Sequence, residues 1–101
     1  MYVAMNRFRV AAGREEDFER AWRERESYLD EVPGFVRFQL LRGAPVEGEV
    51  AFVSCSEWES PAAFEAWTHS EAFARAHRGA RMPEGVVLAH PRFEGFGVVE
   101  L

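Results

Sequence analysis

The sequence predicts an α+β fold in which one antiparallel sheet carries helices on a single face. Three observations lead there. The apolar period switches between two residues and about 3.6 along the chain. The segments follow one another as βαββααβ. Helices separated by pairs of strands imply an open antiparallel sheet, a ferredoxin-like plan.

Each element has its own signal. Tyr2 to Val10 alternates, with Tyr2, Ala4, Asn6, Phe8 and Val10 on one side and Val3, Met5, Arg7 and Arg9 on the other. This strand ends near Gly13. From Arg14 to about Glu31 the period becomes helical, and Phe18, Trp22, Arg25 and Leu29 share a face. Glu15, Glu16 and Asp17 open that helix, where carboxylates suit the dipole. Pro33-Gly34 stops it. Phe35 to Arg42 and Val50 to Trp58 read as strands joined by a hairpin loop over Gly43 to Gly48. Ser60-Pro61 pairs an N-cap with proline at the first helical position, ahead of a short helix carrying Phe64 and Trp67. Ser70 caps a further helix through Phe73, His77 and Ala80. Met82 to Pro91 reads as a loop, and Arg92 to Leu101 as the last strand.

The strands are apolar on both faces: Phe35 and Leu41 oppose Phe38 and Leu40, and Val50 and Phe52 oppose Ala51 and Val53. Helices cover only one face, so the other calls for a second copy packed sheet on sheet, a homodimer.

Composition bounds the rest. The 101 residues make a single domain over 1–101, with 48% hydrophobic and 29% charged residues, an ordinary globular balance. All 12 basic residues are Arg, against 17 acidic ones, for a net charge of −5. Such a chain lacks the basic block that nucleic acid requires. The lone Cys55 excludes an internal disulfide and a CxxC motif. No apolar run approaches a membrane span of about 20 residues. Met1 to Val10 contains Asn6, Arg7 and Arg9 and does not read as a signal peptide, so a cytoplasmic location is expected.

A few residues carry chemistry. Asn6 lies on an otherwise apolar strand face, and a buried amide needs a partner, from backbone or from a ligand. His77 lies on a helix among Ala72, Ala74, Ala76 and Ala80, small neighbours that let a flat ligand approach; Phe73 and Arg81 share its face. An imidazole there is either an ordinary helical histidine or a ligand for haem iron. Trp22 and Trp67 are core aromatics or walls of an apolar pocket. Arg25 interrupts an apolar stripe, either snorkelling to solvent or countering a carboxylate at the pocket mouth, and Arg81 offers the same choice. His69 and His90 form no metal spacing with His77. Cys55 sits mid-strand as a small hydrophobe. Gly95-Phe96-Gly97 marks a bulge or a close approach.

Taken together, these residues resemble the IsdG-type haem-degrading monooxygenases of the antibiotic biosynthesis monooxygenase superfamily. The resemblance rests on Met5-Asn6-Arg7, on Pro33-Gly34-Phe35 with Phe38-Gln39-Leu40-Leu41, on Trp58-Glu59-Ser60 leading to Ala63-Phe64-Glu65-Ala66-Trp67, and on Ala76-His77-Arg78 with Arg81. Phe93 to Val99 also fits. The set of Asn, Trp and His is the specific part.

The resemblance implies a dimeric α+β barrel holding haem between helices and sheet. Haem is then both substrate and cofactor, consumed with O2 and an external electron donor. His77 matches the iron ligand, Asn6 the residue that hydrogen-bonds toward bound oxygen, and Trp67 the residue that forces the porphyrin out of plane. Trp22 and Arg25 match pocket-lining positions more loosely, with Arg81 a further cofactor contact. The alternatives are a cofactor-independent monooxygenase of quinols or aromatics in the same superfamily, a haem-binding protein that does not degrade its ligand, and a purely structural dimer.

Overall fold

A computed structural model describes residues 1–25, 27–79 and 82–101. The alternating N-terminal segment forms strand β1 (Tyr2–Ala11), followed by helix α1 (Glu15–Arg23) and a single 3-10 turn at Leu29–Glu31. Strands β2 (Phe35–Arg42) and β3 (Glu49–Trp58), helices α2 (Pro61–Thr68) and α3 (Glu71–Gly79), and strand β4 (Arg92–Gly97) complete the order βαββααβ. The four strands form one antiparallel sheet in the order β2-β3-β1-β4. This is the expected α+β, ferredoxin-like plan.

The hairpin between β2 and β3 closes through Val46 and Glu49, whose backbones exchange hydrogen bonds of 2.8 and 3.0 Å. Glu47 and Gly48 between them have φ of 51° and 79°, the double left-handed geometry that matches strand twist. Both predicted serine caps form. The Ser60 hydroxyl accepts from the Ala63 N–H at 3.1 Å with Pro61 at the helix start, and the Ser70 hydroxyl accepts from the Phe73 N–H at 3.2 Å.

The helix-facing side of β1 is the predicted one. Register pairs Tyr2, Ala4, Asn6, Phe8 and Val10 with Trp58, Ser56, Ser54, Phe52 and Val50. Val10, Val50, Phe52, Phe18 of α1 and Val86 form one core cluster; Ala4, Leu29 and Trp58 form another against α2. Trp58 is fully buried. Removing such an indole costs about 3–5 kcal/mol.

Four expectations are corrected. The first helix ends at Arg23, well short of Glu31. Between Trp22 and Leu29 the sequence offers no aliphatic residue and only Tyr28, which stays 39% exposed, and short helices persist only where tertiary burial supports them. Leu29 reaches the core from the 3-10 turn, after Tyr28 adopts a left-handed φ of 57°. Phe35 does not share a face with Leu41: a bulge at Phe35/Arg37 turns Phe35 toward Trp58 and the helices. The final strand closes at Gly97, although the Val98 N–H still donates to the Met1 carbonyl at 3.0 Å. The 82–91 stretch contributes more than a loop, because Val86 is fully buried and Val87 bridges to Val10.

The close approach expected near Gly95 is real: a Cβ there would overlap the Tyr2 hydroxyl. The sheet face away from the helices stays open in the single chain. Leu41 and Phe96 on it are 43% and 47% exposed, bordered by the ion pairs Arg7–Glu94, Arg9–Glu49 and Arg37–Glu57.

Candidate functional site

Helix α3 packs chiefly on α2 rather than on the sheet. The space left between α3, the end of α1 and the sheet is a cavity of about 990 Å³. That is the upper end of the usual small-ligand range of roughly 300–1,000 Å³. Asn6, Trp22, Arg25, Trp67 and His77 all line it. The structure therefore brings together every predicted site residue it describes; Arg81 lies outside the described residues.

His77 lies on the helix wall. Its ring is exposed to the cavity and stacks on Phe73 with centroids 3.9 Å apart. Nδ1 lies 2.8 Å from the Phe73 carbonyl oxygen, four residues earlier. A carbonyl can only accept, so Nδ1 carries the hydrogen and Nε2 keeps its lone pair. The backbone of α3 thus fixes the tautomer and the ring plane, which is how an imidazole metal ligand is normally oriented.

The Nε2 lone pair meets Arg25, whose Nη2–H donates to it across 3.2 Å. The guanidinium of Arg25 also lies over the Trp22 ring, 4.8 Å from its centroid. Burial holds the Arg25 pKa below its ordinary value. No carboxylate pairs with it among the described residues, and its Nε–H is buried without a partner. Arg25 therefore turns into the cavity rather than out to solvent.

Trp67 forms the adjoining wall. It is wedged among Phe73 at 4.8 Å, Trp58 at 5.2 Å and Phe64 at 6.0 Å, centroid to centroid. A ring so clamped cannot yield to a ligand pressing on it. Its Nε1–H, like that of Trp22, is buried without a partner. Among the described residues, then, three buried N–H donors lack acceptors, at a cost of about 1–3 kcal/mol each.

The sheet supplies the floor. Asn6 projects from β1 with its amide free of any hydrogen bond to another described residue. The backbone-bonded alternative for Asn6 is thus not the one adopted. Sequence reasoning missed Ser54 and Ser56 on β3, and Phe38, Phe93 and His90 at the edges. The alternation of β3 could have located the two serines, since it places them on the same side as Val50, Phe52 and Trp58. His90 enters only because the 82–91 stretch folds back along β1, which no local pattern announces.

Set beside this geometry, the profile of the antibiotic biosynthesis monooxygenase family matches residues 1–79. Among curated proteins, the chain is 40% identical over 79 residues to a mycobilin-producing haem oxygenase of Mycobacterium tuberculosis, covering 78% of this chain and 72% of that protein. Among solved structures it resembles the haem degrader MhuD of the same organism, determined with two haems bound in its active site. That match has a TM-score of 0.75 and 35% identity over 99% of this chain and 97% of that one. A protein from Bacillus cereus described as an antibiotic biosynthesis monooxygenase superposes with a TM-score of 0.78. It is 18% identical over 99% of this chain and 94% of its own, a likeness of fold alone.

Proposed function

The chain belongs to the antibiotic biosynthesis monooxygenase family, and we propose that within it the chain is a haem-degrading monooxygenase. It takes haem as substrate and cofactor and, with O2 and electrons from an external donor, opens the porphyrin ring and releases iron. One observation carries this reading. A single aromatic-walled cavity pairs an imidazole Nε2 on its helix wall with an Asn6 amide on its sheet floor that bonds no other described residue.

The residues fit the substrate. Haem is a flat apolar ring with carboxylate arms and an iron that accepts imidazole nitrogen. The cavity offers aromatic walls and, in Arg25, a cation that pairs with no carboxylate among the described residues. When bound, haem supplies the iron that activates O2 and the ring carbon that is attacked.

The chain's own residues do the rest. His77 would hold the iron through Nε2, from the helix wall of the cavity. Arg25, which occupies that lone pair in this structure, must release it and turn its guanidinium to a carboxylate arm. Trp67, held among its aromatic neighbours, would be the wall that presses on a bound porphyrin. Asn6 would donate its amide N–H toward oxygen from a rigid strand, a donor already fixed in place when charge develops there. Trp22 would wall the cavity beneath Arg25. Arg81 is assigned to the cavity edge by its match to the family pattern.

The second sheet face completes the proposal. Leu41 and Phe96 among ion-paired rims make it suited to a second copy of this chain, giving a homodimer.

The test is direct. Hemin added to the purified protein should produce a Soret band, and ascorbate in air should then bleach it while a chelator captures the freed iron. A band that survives reductant and air refutes degradation, and the absence of any band refutes the haem assignment.

A further inference from the structure

On its helix-facing side β3 reads Val50, Phe52, Ser54, Ser56, Trp58. The row is fully buried and apolar at both ends and turns to hydroxyls where it passes under the cavity. Both serines are buried, Ser54 at 7% exposure and Ser56 at 9%. Ser56 has a partner, since its oxygen accepts from the Trp58 Nε1–H at 2.9 Å. Ser54 makes no hydrogen bond from its side chain to another described residue. An apolar β-branched residue there would form strand better and leave no buried hydroxyl to satisfy.

Ser54 is the antiparallel partner of Asn6. Directly opposed residues on one sheet face hold their Cβ atoms about 4.5–5.5 Å apart. A hydroxyl and an amide therefore stand side by side on the floor, and both open on the cavity opposite His77. Asn6 alone cannot enclose a small ligand from two directions. Adding Ser54 gives two donors converging from adjacent strands.

We propose that Ser54 is a second hydrogen-bonding residue of the oxygen side of this site, donating its hydroxyl hydrogen to the same small ligand that Asn6 contacts. This rests on the haem reading above. The hydroxyl lies on rigid central strand rather than on a loop, so it is oriented before the ligand arrives. Its role is to orient that ligand and to hold a donor at its outer atom.

The experiment compares Ser54→Thr with Ser54→Val, side chains of equal shape that differ in the hydroxyl. Hemin affinity, from the Soret titration, should be the same in both and close to that of the unaltered protein. The C–O stretching band of the ferrous carbon monoxide complex should stay in place in S54T and move to higher frequency in S54V. The azide dissociation constant of the ferric protein should rise about tenfold in S54V and not in S54T, the loss of one hydrogen bond. Ser54→Ala, which removes the hydroxyl without adding bulk, should behave like S54V if β-branching disturbs folding. Coincident bands and equal azide affinities in S54T, S54V and S54A, with hemin bound, overturn the role of Ser54 alone. An unaltered protein that binds no hemin overturns the haem reading itself.

Discussion

Asn6→Val should make the empty protein more stable while impairing it as an enzyme. The argument starts from the strand. Asn6 sits mid-β1 between Ala4 and Phe8 on the core side, and its amide bonds no described residue. Asparagine is among the poorer strand residues and valine among the best, a span of about 1 kcal/mol. Relieving a half-buried amide of its lost hydration adds to this, and the cavity's access to water subtracts from it. The net gain expected is about 1 kcal/mol. For a domain of this size that corresponds to a rise in Tm of about 4–8 °C. The assay is thermal or urea unfolding of unliganded protein at one fixed protomer concentration, since a dimer's stability depends on concentration. Hemin should still bind, and ring opening should slow by about 100-fold or more, as for loss of an oxyanion-type donor. A loss of 1 kcal/mol or more on N6V would show that the amide holds the strand together. The reasoning that it is kept for a ligand would then fail.

Arg25→Gln should weaken hemin binding by about tenfold to a hundredfold relative to a carboxyl-esterified haem, the worth of one charge-assisted hydrogen bond, with the ester's own affinity equal or higher because His77 Nε2 no longer has to be freed from the guanidinium; equal losses for both ligands would exclude the carboxylate contact. Trp67→Phe should bind hemin but hold it flatter and cleave it more slowly, and an undiminished out-of-plane distortion in resonance Raman spectra would clear Trp67 of that role. Leu41→Glu, on the sheet face opposite the cavity, should convert the proposed dimer to a monomer by sedimentation, and an unchanged sedimentation coefficient would place the partner elsewhere.

Much of the fold is legible in the sequence because its signals are local. Strict alternation fixes the face of Ala4, Asn6 and Val10, and the Ser60-Pro61 and Ser70 caps set both later helices. What escapes is decided between segments. The bulge at Phe35/Arg37 reverses one side chain without leaving a mark in the alternation. The stripe that seems to run unbroken to Leu29 is divided between a helix and a 3-10 turn. Val86 is buried where its neighbour Val87 bridges to Val10 of a distant strand, a contact invisible in a stretch full of proline and glycine.

The site follows the same rule. Asn6, Trp67 and His77 stand out as residue types misplaced in their surroundings. The bonds that give them meaning do not. That Phe73 orients the imidazole follows from helix spacing, but that Arg25 reaches across from α1 to the same ring depends on how two helices meet. The serines of β3 lay within reach of a pattern argument, since polar residues in a buried row mark a place where packing has yielded to function.

The most direct measurement is a hemin titration of the unaltered protein beside His77→Ala, followed at the Soret band. The imidazole should give a saturable complex of one chain to haem in its five-coordinate ferrous state, and H77A should lose it or bind far more weakly, with free imidazole restoring the spectrum. An H77A titration that overlays the unaltered one would mean that Nε2 of His77 is not what holds the iron.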